Sequence, residues 1–191
     1  MKGKLFGIGA GPGDPELLTL KAVKTLQKCE VIAIPESGSG ESVAFSIVEE
    51  HIKGKELIEC RFAMEKDMTK RKETRRNTAD KIIRYLDKGT DVGFVTLGDP
   101  TTYSTFMYVH ELITDRGFVS EIIPGITSFA AAAAALGIAL CKDDEPLMVI
   151  PARHVGDMDE LLDYQGNKVI MKSGGNLASV LAKLKARGDN A

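Results

Sequence analysis

The sequence has few of the residues that form disulfides or bind metal ions. Its 191 residues include only three cysteines and three histidines. Cys29, Cys60 and Cys141 are odd in number and show no CxxC spacing, so they predict neither a disulfide framework nor a zinc site. The histidines do not lie at ligand spacing either. We therefore expect no metal site.

An excess of basic charge and long apolar runs are also lacking. The net charge is −2 and the isoelectric point is about 6.0, which argues against an obligate nucleic-acid-binding protein. The alanine run at residues 130–135 is far too short to cross a bilayer. No charged and then apolar leader opens the sequence, so we expect a cytoplasmic protein with neither a membrane nor a nucleic-acid partner.

Apolar runs alternate with helical patterns along most of the chain, which predicts an α/β fold. Four strand–helix alternations in succession imply a parallel sheet with right-handed crossovers. The apolar runs predict strands at residues 4–8, 30–35, 57–62, 91–95, 119–123, 147–151 and 169–171. One helical pattern, from Asp14 to Lys28, places Leu20, Val23 and Leu26 on one face.

A turn at residues 115–117 predicts a boundary between two α/β domains, residues 1–116 and 117–191. The first contains the parallel sheet with its flanking helices, and the second contains the later strands. A helical pattern at residues 177–186 ends the sequence with no strand after it.

The first predicted strand leads into a loop that contains Gly9, Gly11, Pro12 and Gly13. Glycines at alternate positions let a backbone lie close to a ligand or to another loop. The loop fits the dinucleotide fingerprint poorly because its third glycine comes one residue early, and no Gly-Lys-Ser/Thr follows to make a P-loop. Glu36 ends the second predicted strand, where a nicotinamide enzyme would have the acid that binds the ribose, so such an enzyme remains an alternative. The other alternative is a tight turn that binds no ligand.

The loop at residues 96–104 follows the fourth predicted strand and contains Gly98 and Asp99. Gly98 permits a sharp turn, and Asp99 then lies at the carboxyl end of the strand, where open α/β sheets bind ligands. The alternative is a simple strand-to-helix turn, with Asp99 as the N-cap and Pro100 in the first helical position.

A basic run lies between the third and fourth strands. It comprises Arg61, Lys66, Lys70, Arg71, Lys72, Arg75 and Arg76. Such a run usually forms a solvated helix face. The alternative is a patch that binds an anionic substrate through charge-assisted hydrogen bonds.

Four motifs together resemble the tetrapyrrole (corrin/porphyrin) methylase family. They are residues 9–19, 97–100, 124–128 and 169–172, and they occur in the family's order across nearly the whole chain. Residues 96–108 are most similar to the precorrin-2 (or cobalt-factor II) C-20 methyltransferase branch.

This resemblance implies a homodimeric C-methyltransferase of cobalamin biosynthesis. It would bind S-adenosylmethionine in a cleft between its domains, act on a tetrapyrrole and release S-adenosylhomocysteine. The resemblance also implies that the second sheet-containing domain is truncated at its C-terminus. The positions that match the family's cofactor-binding residues are Pro12, Leu97, Gly98, Asp99, Thr102, Thr127, Ser128 and Met171.

The catalytic candidates are Asp99 and Tyr103, either of which could accept or relay the proton that leaves the methylated carbon. Asp99 has structural and cofactor-binding roles as alternatives. Arg153 and the basic run are candidates to bind the carboxylates of the substrate. Three other functions stay open: methylation of RNA or protein by the same fold, cofactor binding by an inactive fragment, and nicotinamide-dependent oxidoreduction.

Overall fold

Five parallel strands form the larger sheet, in the order β3-β2-β4-β1-β5. The computed structural model describes residues 1–36, 42–62, 67–152, 158–175 and 177–188. Every residue of β1 and β4 is buried, which explains why these two segments read as continuous apolar runs. The strands are β1 (Leu5–Gly9), β2 (Val31–Pro35), β3 (Glu56–Cys60), β4 (Val92–Thr96) and β5 (Ser120–Ile123).

Helices cover both faces of this sheet. Two of them, α3 (Met68–Leu86) and α4 (Phe106–Thr114), pack on one face around Phe94 and Phe106. The other two, α1 (Leu20–Lys28) and α2 (Val43–Val48), pack on the opposite face. Short 3-10 helices occur at Pro15–Leu17 and Glu49–His51. The predicted parallel sheet with flanking helices is confirmed.

The chain divides into two compact units, Met1–Ala131 and Ala132–Ala191, with α5 (Ser128–Leu136) running across the division. The predicted boundary after residue 116 therefore lies too early. Its physical reason is that β5 pairs in parallel with β1 and so belongs to the first sheet. The second unit contains a parallel pair of strands and two helices: β6 (Leu147–Pro151), α6 (Met158–Asp163), β7 (Asn167–Met171) and α7 (Leu177–Arg187).

Two helix starts differ from the sequence-based expectation. Asp14 caps only the short 3-10 helix, and Thr19 is the N-cap of α1. Leu20 is consequently 80% exposed and does not share the buried face that was predicted for it. Asp99 is not the N-cap of α4 either, since that helix begins at Phe106. Within the part of the chain that is described, no helix is both long and apolar enough to span a membrane.

Candidate functional site

Three loops converge at the carboxyl edge of the larger sheet, and glycines line their contact. A Cβ atom on Gly125 would lie 2.3 Å from the carbonyl oxygen of Gly98, and one on Gly9 would lie 2.6 Å from the amide nitrogen of Gly125. Gly98 also exchanges two backbone hydrogen bonds with Gly11, at 2.7 and 3.2 Å. Only residues without side chains allow backbones to approach this closely.

The outer side of the same contact is open. Gly98 has a φ of +74°, and a Cβ added to it would have no heavy atom within 4 Å. Leu97 beside it is 49% exposed although it directly follows a fully buried strand. The loop therefore presents bare backbone and one apolar side chain at the edge of the sheet where α/β folds bind ligands.

Asp99 connects two of the loops through its buried carboxylate. One oxygen, Oδ1, accepts a hydrogen bond from the backbone nitrogen of Thr101 at 2.8 Å and another from the hydroxyl of Thr101. The other, Oδ2, accepts one from the backbone nitrogen of Gly125 at 3.0 Å. Asp99 therefore attaches the loop after β4 to the loop after β5.

The carboxyl group of Asp99 is ionised at neutral pH. Burial by itself raises its pKa, but hydrogen bonds from Thr101, Gly125 and Thr102 outweigh burial and hold the pKa below its usual value. Among the described residues, Asp99 has no cationic ion-pair partner. The described donors that stabilise its negative charge are all neutral.

Hydroxyl side chains continue the loop toward α4. The hydroxyls of Thr96 and Ser104 lie 2.9 Å apart, and Ser104 also accepts a hydrogen bond from the backbone of Phe106 at the start of the helix. Tyr103 directly precedes Ser104. It has a φ of +49°, an unusual value for a tyrosine, and is 46% exposed. Thr102 is half-buried beside Asp99.

The first unit holds all but one of the predicted cofactor residues. Pro12 is half-buried in the glycine loop after β1. Thr127 and Ser128 lie where α5 begins, three residues or fewer after Gly125. Met171 is the exception, since it is the last residue of β7 in the second unit.

The predicted basic run does not act as one patch. Arg61 forms an ion pair with Glu36, so both are already engaged with each other where β2 and β3 end. Arg75 instead places its guanidinium 3.4 Å from the ring centroid of Tyr108. Lys66 and Arg153 lie outside the described residues.

Sequence reasoning missed two features of this edge. It assigned no partner to Gly9, whose close approach to Gly125 depends on which strands are neighbours. It also missed the stacking of Arg75 on Tyr108, because periodicity does not show which helices pack together. The sequence signal that could have indicated it is the tyrosine at position 108, within the predicted helix after Asp99.

The described residues give little support for a reactive thiol or a metal ion at this edge of the sheet. Burial raises the pKa of the Cys60 thiol to about 12, so it stays protonated at neutral pH. No cluster of three or more histidine, cysteine or acidic side chains suited to a metal ion occurs in residues 1–36, 42–62, 67–152, 158–175 and 177–188.

The fold and its open, glycine-walled edge define an α/β protein with a candidate ligand site at the carboxyl ends of its strands. The family model described as Tetrapyrrole (Corrin/Porphyrin) Methylases matches residues 4–191. The chain therefore belongs to the tetrapyrrole methylase family.

Curated relatives include three with closely related names. The probable cobalt-precorrin-2 C(20)-methyltransferase of Methanocaldococcus jannaschii is 39% identical over 187 residues, covering 97% of this chain and 79% of the relative. The cobalt-precorrin-2 C(20)-methyltransferase of Salmonella typhimurium is 31% identical over 98% of this chain and 80% of its own. The precorrin-2 C(20)-methyltransferase of a Sinorhizobium species is 32% identical over 97% and 80%.

Solved structures show the same fold. The X-ray structure of cobalt precorrin-4 methyltransferase, a cobalamin biosynthetic enzyme, has a TM-score of 0.72 and 26% identity over 98% of this chain and 76% of its own. A uroporphyrin-III C-methyltransferase from Thermus thermophilus in complex with S-adenosylhomocysteine has a TM-score of 0.65 over 98% and 78%. It is 20% identical and supports the fold alone.

Proposed function

We propose that this chain is an S-adenosylmethionine-dependent methyltransferase that methylates C-20 of precorrin-2 or cobalt-factor II in cobalamin biosynthesis. The observation that carries the proposal is the open backbone at Leu97 and Gly98, backed by the contact between Gly9 and Gly125. The three C(20)-methyltransferase relatives support this substrate and position. Their names favour a tetrapyrrole over RNA or protein as the substrate.

The chemistry of the site suits a cationic cofactor. S-adenosylmethionine supplies a methyl group that its sulfonium charge already activates. Asp99 is ionised, and its described hydrogen-bond donors are neutral. The carboxylate therefore keeps a net negative charge at this edge, which favours a positively charged ligand. The exposed side chain of Leu97 offers apolar contact beside it.

The residues of the chain mainly bind and orient the reactants. Pro12, Leu97 and Gly98 would contact the cofactor along the loops, and the hydroxyls of Thr127 and Ser128 would bind its polar ends. Thr102 borders the same surface. Alignment of a carbon nucleophile with the methyl group supplies most of the rate enhancement in such a transfer. Met171 stays a prediction from the sequence.

The two catalytic candidates differ in suitability. Both carboxylate oxygens of Asp99 already accept hydrogen bonds, and its low pKa makes it a weak base. Tyr103 is the better candidate to accept or relay the proton at its hydroxyl, because its side chain is half exposed. Asp99 would then orient the loop that binds the cofactor.

The first test is calorimetric titration of the chain with S-adenosylhomocysteine, with NADH as the control. We expect micromolar binding of the former and none of the latter. Incubation with S-adenosylmethionine and either precorrin-2 or its cobalt complex should then add one methyl group, which mass spectrometry detects. Binding of NADH alone would contradict the proposal, and binding without transfer to either tetrapyrrole would favour an inactive fragment.

A homodimer is part of the same proposal and rests on the resemblance to the family. Light scattering coupled to size-exclusion chromatography measures the mass directly. A monomer that still transfers the methyl group would remove this part and leave the reaction intact.

A further inference from the structure

Helix α3 runs antiparallel to the edge strand β3, so its first turns lie toward the carboxyl edge. Near the end of the helix, Tyr85 hydrogen-bonds to Glu56, the first residue of β3. Farther toward the start of the helix, the side chain of Thr78 lies near enough to the thiol of Cys60, the last residue of β3, to lower the pKa of that thiol. Thr78 therefore marks the level at which the strand ends.

Two arginines lie beyond that level. A helix rises about 1.5 Å per residue, so Arg75 is roughly one turn and Arg71 roughly two turns past the end of the strand. The two are four residues apart and lie on the same face of the helix. Both are half-buried. They therefore border the edge that carries the loop after β4.

Arg75 is held in place by α4. Its guanidinium lies 3.4 Å from the ring centroid of Tyr108, which is two residues after the helix begins at Phe106. Stacking of this kind restrains the plane of the guanidinium while its N–H groups remain directed outward along that plane. Such an arrangement matches the two oxygens of a carboxylate.

Neither arginine is neutralised by an acidic side chain of the described structure. Arg71 makes a weak contact from its guanidinium to the sulfur of Met68 at 4.0 Å. By contrast, Arg61 is paired with Glu36 and Arg116 with Asp80. Two half-buried cations thus lie close together with no counter-charge among the described residues.

We propose that Arg71 and Arg75 bind carboxylate side chains of the tetrapyrrole substrate, with Tyr108 holding Arg75 in a carboxylate-binding orientation. This inference rests on the proposed function, because a tetrapyrrole precursor of this kind is a polycarboxylate. The site would set affinity for the macrocycle and leave affinity for the cofactor unchanged.

The test compares three variants with the wild type: the double variant R71Q/R75Q, the single variant R75K and the control R84Q. Arg84 lies in the last turn of the same helix, near the opposite edge, so R84Q removes one positive charge from the same element, against two in the double variant. Binding of precorrin-2 in the presence of S-adenosylhomocysteine is followed by absorbance titration, and binding of S-adenosylhomocysteine alone by calorimetry.

We expect R71Q/R75Q to weaken binding of precorrin-2 at least tenfold and R75K to weaken it less, since lysine keeps the charge but loses the planar fork. R84Q should change it less than twofold. All variants should bind S-adenosylhomocysteine as the wild type does, which also shows that they are folded. Equal weakening by R84Q would point to general charge attraction and overturn the inference.

The wild type separates failure of the inference from failure of the proposed function. A wild type that binds S-adenosylhomocysteine but neither precorrin-2 nor its cobalt complex would overturn both. Tight binding of precorrin-2 by the wild type and equally tight binding by R71Q/R75Q would overturn only the inference. In that case the substrate carboxylates would be held elsewhere.

Discussion

At each end of the central strand β4, an aspartate carboxylate accepts a backbone hydrogen bond from another segment. Asp91 lies just before the strand and accepts a hydrogen bond from the backbone nitrogen of Lys4 at 2.9 Å. Asp99 lies after the strand and accepts one from the backbone nitrogen of Gly125 at 3.0 Å. At the amino edge, Asp91 thereby attaches β4 to the segment before its neighbour β1. At the carboxyl edge, Asp99 attaches β4 to the loop after β5, which lies on the far side of β1.

The two edges differ in charge. Asp91 also pairs with the ammonium group of Lys28 at 2.8 Å, so its charge is balanced. The described donors to Asp99 are all neutral, and the backbone beside it at Gly98 is open. The comparison shows how one fold can use an acidic residue purely for stability at one edge and prepare a charged, open surface at the other.

The largest contrast between the edges should come from adding one methyl group at each. A Cβ on Gly125 would lie 2.3 Å from the carbonyl oxygen of Gly98, and one on Gly3 would lie 2.1 Å from that of Thr90 at the amino edge. We expect Gly125→Ala and Gly3→Ala each to lower the free energy of unfolding by about 2–3 kcal/mol. Urea denaturation measures both losses.

Only the first of these two substitutions should harm the site. The folded fraction of Gly125→Ala should bind S-adenosylhomocysteine at least tenfold more weakly, whereas Gly3→Ala should bind it normally. Calorimetry under conditions where both variants are folded makes this comparison. Equal affinities would mean that the loop after β5 does not shape the cofactor site.

A smaller contrast is expected for two glycines that share one backbone conformation. Gly98 at the carboxyl edge has a φ of +74° and Gly117 at the amino edge has a φ of +76°, and a Cβ on either meets nothing within 4 Å. Alanine should therefore cost the same roughly 1–2 kcal/mol at both positions, through backbone strain alone. Thermal unfolding checks this equality.

Binding should separate this second pair as well. Gly98→Ala places a methyl group on the open surface and should weaken binding of S-adenosylhomocysteine severalfold or more, and Gly117→Ala should not. Normal affinity in Gly98→Ala would count against the position that we propose for the cofactor.

Much of this edge follows from sequence patterns, because local chemistry determines it. The apolar run before Gly98 predicts a buried strand, and the structure has it at Val92–Thr96. Gly98 and Asp99 come next, so their place at the carboxyl edge follows from the parallel sheet. The α/β class, the parallel sheet and the family were likewise predicted from local patterns, and all three are confirmed.

The remaining features depend on contacts between distant segments. The strand at residues 119–123 was assigned to the second domain because its own residues do not show that it pairs with β1. Because Pro100 follows Asp99, the sequence is compatible with a helix cap at Asp99. In the structure, the carboxylate of Asp99 instead accepts a hydrogen bond from the backbone nitrogen of Gly125, 26 residues later. Arg75 and Tyr108 meet only because α3 and α4 pack on the same face of the sheet.

The subtlest contrast concerns the two aspartates themselves. Asp91→Asn and Asp99→Asn should each lower the free energy of unfolding at neutral pH by about 1–3 kcal/mol, since each amide replaces a carboxylate that accepts backbone hydrogen bonds. The ion pair of Asp91 with Lys28 lies near the surface and is screened by salt, whereas the neutral donors around Asp99 are not. Added salt should therefore reduce the effect of Asp91→Asn on the free energy of unfolding and leave the effect of Asp99→Asn unchanged.

The pH dependence has the same sign at both positions. Burial opposes the shift in each case, but hydrogen bonds and, for Asp91, the charge of Lys28 hold both pKa values below the usual one in the folded protein. Each carboxylate therefore stabilises the fold fully above its unfolded-state pKa near 4, and this stabilisation is lost as the pH falls through the folded-state pKa. Urea denaturation between pH 7 and pH 3, at low and high salt, measures both effects. A salt-sensitive loss in Asp99→Asn would mean that a cation compensates Asp99 after all, and the electrostatic contrast between the two edges would disappear.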